Sequence, residues 1–181
     1  MKNRNPSILV ADDDPRIRQS LSDILELEGY NVIEASDGKS LIDKISPEYV
    51  DVILLDINMP GLNGIEITRM LKSDDDLKQI PIVIVTGMND RSLRIEALTA
   101  GADDFLNKPP HIAELSARVK SLLKVKAYND HLRVHQRELE RQVNERTHQL
   151  RQALSDVKTA SLDTIHHLSR AAEYKDEDTS I

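Results

Sequence analysis

The 181-residue chain has no cysteine and no tryptophan, and one Phe and four Tyr are its only aromatic residues. Without Cys there is no disulfide framework and no thiol chemistry, which fits a cytoplasmic protein. With so few rings, the core must be built from Ile, Leu, Val and Ala, a composition that suits a parallel sheet buried on both faces. Long apolar runs are also missing. None approaches the roughly 18 residues of a membrane span. The apolar stretch after Met1-Lys2-Asn3-Arg4 ends at Asp12, too short for a signal peptide, so no membrane insertion is expected. Positive charge is scarce: 24 Lys and Arg face 31 Asp and Glu, a net of −7. The deficit lies in residues 1–123, which hold 14 basic and 21 acidic residues, whereas residues 124–181 hold 10 of each. An acidic first domain argues against nucleic-acid binding, which wants a basic face. Helix breakers disappear too, since the last Gly is Gly101 and the last Pro is Pro110.

What is present is an alternation of two periodicities. Apolar runs of strand type fall at 7–11, 31–35, 51–55, 81–85 and 103–106, and segments of helical periodicity lie between them. Pro15 suits the first turn of a helix whose apolar face is Ile17, Leu21, Ile24 and Leu25, and Gly29 ends it. Residues 37–46, 64–73 and 89–100 read as three more helices, with Asp37 and Asn89 as N-caps. Strand and helix in alternation imply a parallel sheet with helices on both faces.

Polar residues punctuate the ends of these runs. Asp12-Asp13 follow Ile8-Leu9-Val10-Ala11, Asp56 follows Val52-Ile53-Leu54-Leu55, Thr86 follows Ile82-Val83-Ile84-Val85, and Lys108 follows Phe105-Leu106. A carboxylate beside the core is costly unless it is used, and open α/β sheets bind ligands at the carboxyl ends of their strands. Three acids, a hydroxyl and an amine gathered there form a set suited to phosphoryl transfer. Asp56 is the candidate nucleophile, forming an aspartyl phosphate. Phosphoryl oxygens call for a divalent cation, and Mg²⁺ (or Mn²⁺) takes a few oxygen ligands plus waters. Asp13 and Asp56 are expected to ligate it directly, and Asp12 to hold a coordinated water. Lys108 would pair with a phosphoryl oxygen as a point charge, and Thr86 would donate its hydroxyl to the phosphoryl group. Read alone, Asp12-Asp13-Asp14 is a solvated capping cluster before Pro15, and Lys108 is a snorkelling surface lysine.

The order of Asp12-Asp13, D-x-x-M-P-G-x-x-G over residues 56–64, Thr86-Gly87 and G-A-D-D-F-L-x-K-P over residues 101–109 resembles the receiver domain of two-component response regulators. The resemblance covers residues 7 to about 123. It implies a flavodoxin-like, doubly wound α/β fold, with a five-stranded parallel sheet of order 2-1-3-4-5; the long C-terminal coiled-coil helix expected after it rests on the residue spacing beyond residue 123. It also implies that the backbone carbonyl of Asn58 completes the cation's ligands, that Lys108–Pro109 is often a cis step, and that Phe105 is the switch aromatic. As Thr86 moves inward, Phe105 would enter the vacated space, a charge event biasing a bistable packing element; ordinary packing is the other reading of Phe105. Pro110 departs from the aromatic or aliphatic residue usual in the family. A sensor histidine kinase or phosphotransfer protein is the implied phosphodonor.

Beyond the fifth helix, Leu132, Leu139, Val143, Leu150 and Val157 recur at sevens and fours, as a coiled-coil seam does. Leu154, Ser161, Ile165 and Leu168 continue in a shifted register, which indicates a stutter. Helix from about 111 to 172 would run roughly 90 Å at ~1.5 Å per residue and needs a partner helix, so a homodimer through the coil is expected. Residues 162–180, with Ala171-Ala172-Glu173-Tyr174-Lys175-Asp176-Glu177-Asp178-Thr179, resemble the opening helix of HD-GYP domains, which are metal-dependent cyclic di-GMP phosphodiesterases. A generic amphipathic helix with an acidic end is the alternative. The HD pair and GYP motif are absent from the chain, so it is not itself expected to be an enzyme. The organisation expected is a receiver over 1–123, a coiled-coil linker over 124–161 and the start of a truncated output domain over 162–181.

Two other functions compete. A haloacid-dehalogenase-type phosphatase also uses an aspartyl phosphate and Mg²⁺, but needs D-x-D on its first strand. Here position 58 is Asn and Asp56 ends the third strand, which nearly excludes it. The second is a dimerisation scaffold that works without phosphorylation.

Overall fold

The computed structural model describes residues 4–46, 49–87 and 91–177. Its elements in chain order are β1 (Ser7–Ala11), α1 (Pro15–Leu27), β2 (Asn31–Ala35), α2 (Gly38–Lys44), β3 (Val52–Asp56), α3 (Gly64–Ser73), β4 (Ile82–Thr86), α4 (Arg91–Thr99), β5 (Asp104–Asn107) and α5 (Ile112–Glu177). The strands pair in parallel in the order β2-β1-β3-β4-β5, the expected flavodoxin-like topology. By packing, the chain divides into two units, Met1–Asp130 and His131–Ile181.

In the first unit, strand alternation separates two cores. Ile8 and Val10 of β1, Val52 and Leu54 of β3, and Val83 and Val85 of β4 pack with Leu21 and Leu25 of α1 and Leu115 and Val119 of α5. The intervening residues, Leu9, Ile53, Leu55, Ile82 and Ile84, pack on the other face with Leu41, Ile65, Ile67, Leu71 and Ala97 from α2, α3 and α4. Both faces being covered explains why the central strands read as continuous apolar runs rather than alternating ones. Each fully buried Leu or Ile contributes about 1.5–3 kcal/mol.

The helix ends follow local chemistry. Asp14 caps α1 by accepting from Arg16 N–H, with Pro15 at the first helical position. Asp37 and Ser40 form a reciprocal capping box at α2, and Asn63 and Glu66 another at α3. Gly29, at φ 88°, turns the chain out of α1 in the left-handed conformation that favours glycine. Asn89, expected as an N-cap, lies outside the described residues, as do residues 178–181.

Three strands begin one residue later than their apolar patterns indicate. Asp51 spends its carboxylate on Ser7 N–H at 2.8 Å and on Arg4 at 3.1 Å. Pro81 has no N–H to give a ladder. Asp103 accepts from Ile82 N–H at 2.9 Å and from Lys72 Nζ at 2.7 Å. The same strands also run one residue further at their C-terminal ends. Asp56 pairs in register with Val85, and Thr86 with Asn107, so these polar residues are the last rungs of the sheet.

The second unit is helical over its described residues. Leu132, Leu139, Val143, Leu150 and Val157 are all exposed on it, between 47% and 67%. Arg141 ties Glu138 and Glu145 along the helix surface. No described helix is long and apolar enough to cross a membrane.

Candidate functional site

Strand alternation sends Asp56, two residues after Leu54, to the same face of the sheet as the α1/α5 core, at the carboxyl end of the central strand. Asp12 and Asp13 follow directly after β1, the neighbour of β3. One carboxylate oxygen from each of Asp12, Asp13 and Asp56 lies within 4.8 Å of the others. Asp12 and Asp56 are almost fully buried, whereas Asp13 is exposed and opens the cluster to solvent. Lys108, just past β5, reaches across the end of β4. Its Nζ stands 2.5 Å from Asp12 Oδ2 and 3.0 Å from Asp56 Oδ2, with the side chain 14% exposed. It is therefore not a snorkelling lysine.

The electrostatics are those of a crowded acid pocket. Burial pushes the Asp56 carboxyl above its usual range and the nearby Asp12 charge adds to this, while Lys108 and the Asn58 backbone N–H pull it down. Asp12 Oδ1 accepts from Asp14 N–H at 3.0 Å. Asp12 Oδ2 is buried, and its approach to Lys108 is an ion pair without hydrogen-bond alignment. That oxygen has no hydrogen-bond donor among the described residues. An acceptor-only donor set with such an oxygen suits a hard divalent cation, so Asp12, Asp13 and Asp56 fit Mg²⁺ or Mn²⁺.

The loop after β3 is built around a close approach. Gly64 N–H donates to Ile57 O at 2.9 Å. A Cβ at Gly64 would overlap the Asp56 carbonyl oxygen and stand 3.0 Å from Ile57 Cα. Glycine there lets α3 start directly against the strand end that carries Asp56. Lys108–Pro109 is cis, and Lys108 N–H donates to Thr86 O at 2.9 Å.

Thr86 and Phe105 occupy the opposite face. Thr86 is buried at the end of β4, and Phe105 lies opposite Ile84 in register and packs half-buried on the α2–α3–α4 core. Sequence reasoning did not find what brackets Phe105. The Arg94 guanidinium stands over its ring at 4.5 Å and that of Arg118 at 6.0 Å. Arg94 also donates to Asn107 Oδ1 at 2.5 Å, and Arg118 to both Asp104 oxygens at 2.5 Å. The only sequence signal was a pair of arginines on the helices flanking β5.

Residues 8–120 match the family model described as the response regulator receiver domain. Response regulator MprA of Mycolicibacterium vanbaalenii is 43% identical over 117 residues, which is 65% of this chain and 50% of that protein. MprA of Mycobacterium avium is similar to the same extent. The chain thus spans about half the length of the curated relatives it matches. Among solved structures, the receiver domain of Francisella response regulator 1452 aligns at 37% identity with a TM-score of 0.59, over 66% of this chain and 98% of that one. A CheY-like receiver domain protein from Methanospirillum hungatei aligns at 29% identity with a TM-score of 0.64, over 70% and 99%.

Proposed function

The chain belongs to the response regulator receiver family, and from that premise we propose that Asp56 is its phosphoacceptor, charged by a sensor histidine kinase or phosphotransfer protein. The supporting observation is the convergence of Lys108 Nζ on Asp56 and Asp12 inside the three-acid cluster. An Asp56 oxygen attacks phosphorus, the bond to the donor's imidazole nitrogen breaks, and an aspartyl phosphate remains. Asp13, Asp56 and the Asn58 carbonyl would hold a divalent cation, with Asp12 beside them to orient a water, and that cation would supply neutralisation of the phosphoryl charge. Lys108 leaves its acid partners to pair with a phosphoryl oxygen. Thr86 gives its hydroxyl to another, and Phe105 follows into the space that Thr86 vacates.

The same proposal extends along the chain. Residues 1–123 are the receiver, 124–161 a parallel dimeric coil, and 162–181 the lead into an HD-GYP-type output acting on cyclic di-GMP, in a cytoplasmic protein. The seam from Leu132 to Val157 and the Ala171–Thr179 resemblance support this. The reading frame beyond Ile181 tests the last part, because HD and GYP motifs there would establish the output and their absence would remove it.

The phosphoacceptor is tested by incubating the protein with acetyl phosphate and measuring intact mass. One phosphoryl group should be gained with Mg²⁺ or Mn²⁺ and none with chelator, and Asp56→Asn should gain none. Full labelling of Asp56→Asn would sink the assignment. No labelling of the wild type would favour the scaffold.

A further inference from the structure

We propose that Arg18 is a positioning residue for the cation pocket: with Glu34 and Ser22 it fixes the main chain at Asp12, and so aims the Asp12 and Asp13 carboxylates. This rests on reading Asp12, Asp13 and Asp56 as the Mg²⁺ site.

The β1 ladder ends at Ala11, and Asp12 carries the chain out of the sheet. Its peptide groups are nevertheless held on both sides. Asp12 N–H donates to Ala35 O of β2 at 3.1 Å, and the Asp12 carbonyl accepts from Arg18 Nη1 at 2.7 Å. The guanidinium is itself anchored, since Nε donates to Glu34 Oε2 at 3.0 Å. The other Glu34 oxygen accepts from the buried Ser22 hydroxyl at 2.8 Å. Residues 34 and 35 of one strand therefore grip the Asp12 peptide from both flanks, one directly and one through Arg18.

An Arg–Glu pair on a helix surface would ordinarily contribute little. Arg18 differs in two respects. Its side chain is only 17% exposed, and its second bond goes to a backbone oxygen adjoining the acid cluster, not to another side chain. Charge alone predicts that removing a cation from this region tightens Mg²⁺ binding. Loss of orientation predicts the reverse. Groups that orient metal ligands typically change metal affinity about 10–100-fold when removed. Arg18 is already neutralised by Glu34, so orientation outweighs charge.

The test is titration of the whole chain with Mg²⁺ alone, followed by amide NMR shifts of residues 12–14, alongside acetyl-phosphate labelling rates over a range of Mg²⁺. Arg18→Ala should weaken Mg²⁺ binding about 10-fold, and saturating Mg²⁺ should restore its labelling rate, because Asp56 and Lys108 are intact. Arg18→Lys keeps the charge but lacks the planar fork that serves two acceptors, so it should recover only part of the affinity. Glu34→Gln has one acceptor oxygen where two are used, and should shift affinity in the same direction as Arg18→Ala. It serves as the test if Arg18→Ala does not fold. Wild-type or tighter Mg²⁺ binding in Arg18→Ala would overturn the proposal, as would full recovery by Arg18→Lys. A labelling defect that saturating Mg²⁺ leaves in place would do the same. A wild type that binds Mg²⁺ but is never labelled would instead count against the phosphoacceptor reading, leaving the Arg18 result to stand on affinity.

Discussion

Lys108 sets one ammonium against two buried carboxylates, 2.5 Å from Asp12 and 3.0 Å from Asp56, and so partly neutralises the pocket before any phosphoryl group arrives. Truncating it leaves the acids facing each other with less compensation, a state that favours a dication. Lys108→Ala should therefore bind Mg²⁺ at least as tightly as the wild type, while its labelling by acetyl phosphate slows by about 10²-fold, the scale of one lost electrostatic donor at a transferring group. Titration of Mg²⁺ and a single-turnover labelling rate check the two halves, and weaker Mg²⁺ binding with normal labelling would reverse the role assigned. The side chains that meet here were legible in the sequence because each ends an apolar run: Asp12, Asp13, Asp56 and Lys108 come together as expected. Arg18, Arg94 and Arg118 were not legible. Their work depends on which helix faces which strand end, and an arginine on a helix reads as a solvated charge until a carbonyl or a ring is brought under it.

Elements position those residues by how they start and stop. The strand cores and the sheet order matched expectation, but β3, β4 and β5 each begin one residue late, after Asp51 and Asp103, whose carboxylates accept from the N–H groups of Ser7 and Ile82, and after Pro81, which has no N–H. Side-chain capping by an acid is invisible to an apolar pattern; only the missing N–H of Pro81 could have been foreseen. The start of α3 is the tightest of these junctions. Gly64→Ala should destabilise the first unit by about 1–3 kcal/mol, the usual cost of overpacking, and slow labelling at Asp56, since the overlap falls on the Asp56 carbonyl. Thermal melting and labelling of the one variant measure both, and unchanged melting would mean that the junction relaxes freely. In α5, hydrogen bonds from Arg141 and then Gln142 hold the Glu138 carboxyl down at about 2. A depressed carboxyl stabilises its folded environment above the ordinary value, 4.5, and loses that contribution as pH falls through about 2. Helicity of a peptide spanning residues 131–165 should accordingly exceed that of its Glu138→Gln variant at neutral pH, and the gap should close as pH drops from 4.5 towards 2. A gap that widens in acid would contradict the sign.

At the scale of the whole molecule, the two units make different demands on a partner. The first buries its own core on both sheet faces, and Leu122 and Leu123 of α5 pack against that core. The second leaves Leu132, Leu139, Val143, Leu150 and Val157 exposed along one seam. Burying that row against a second copy is favourable at ~25 cal/mol per Å². Gln136 and Arg146 fall at core-type positions of the same seam, so the pairing should be of moderate strength and able to shift register. Parallel pairing would set two output domains side by side, and a change in how two phosphorylated receivers dock would pass along the coil as a small rotation. Ending the chain after Asp130 keeps the first unit whole and removes the seam. The full chain should sediment as a dimer at micromolar concentration and the shortened chain as a monomer. Replacing Leu139 and Val143 by Lys in the full chain should give the same result without shortening it, because two like charges per helix would meet in the seam. A dimer that persists undiminished in both would put the main contact on the receiver itself, and the coil would then transmit a signal without holding the molecule together.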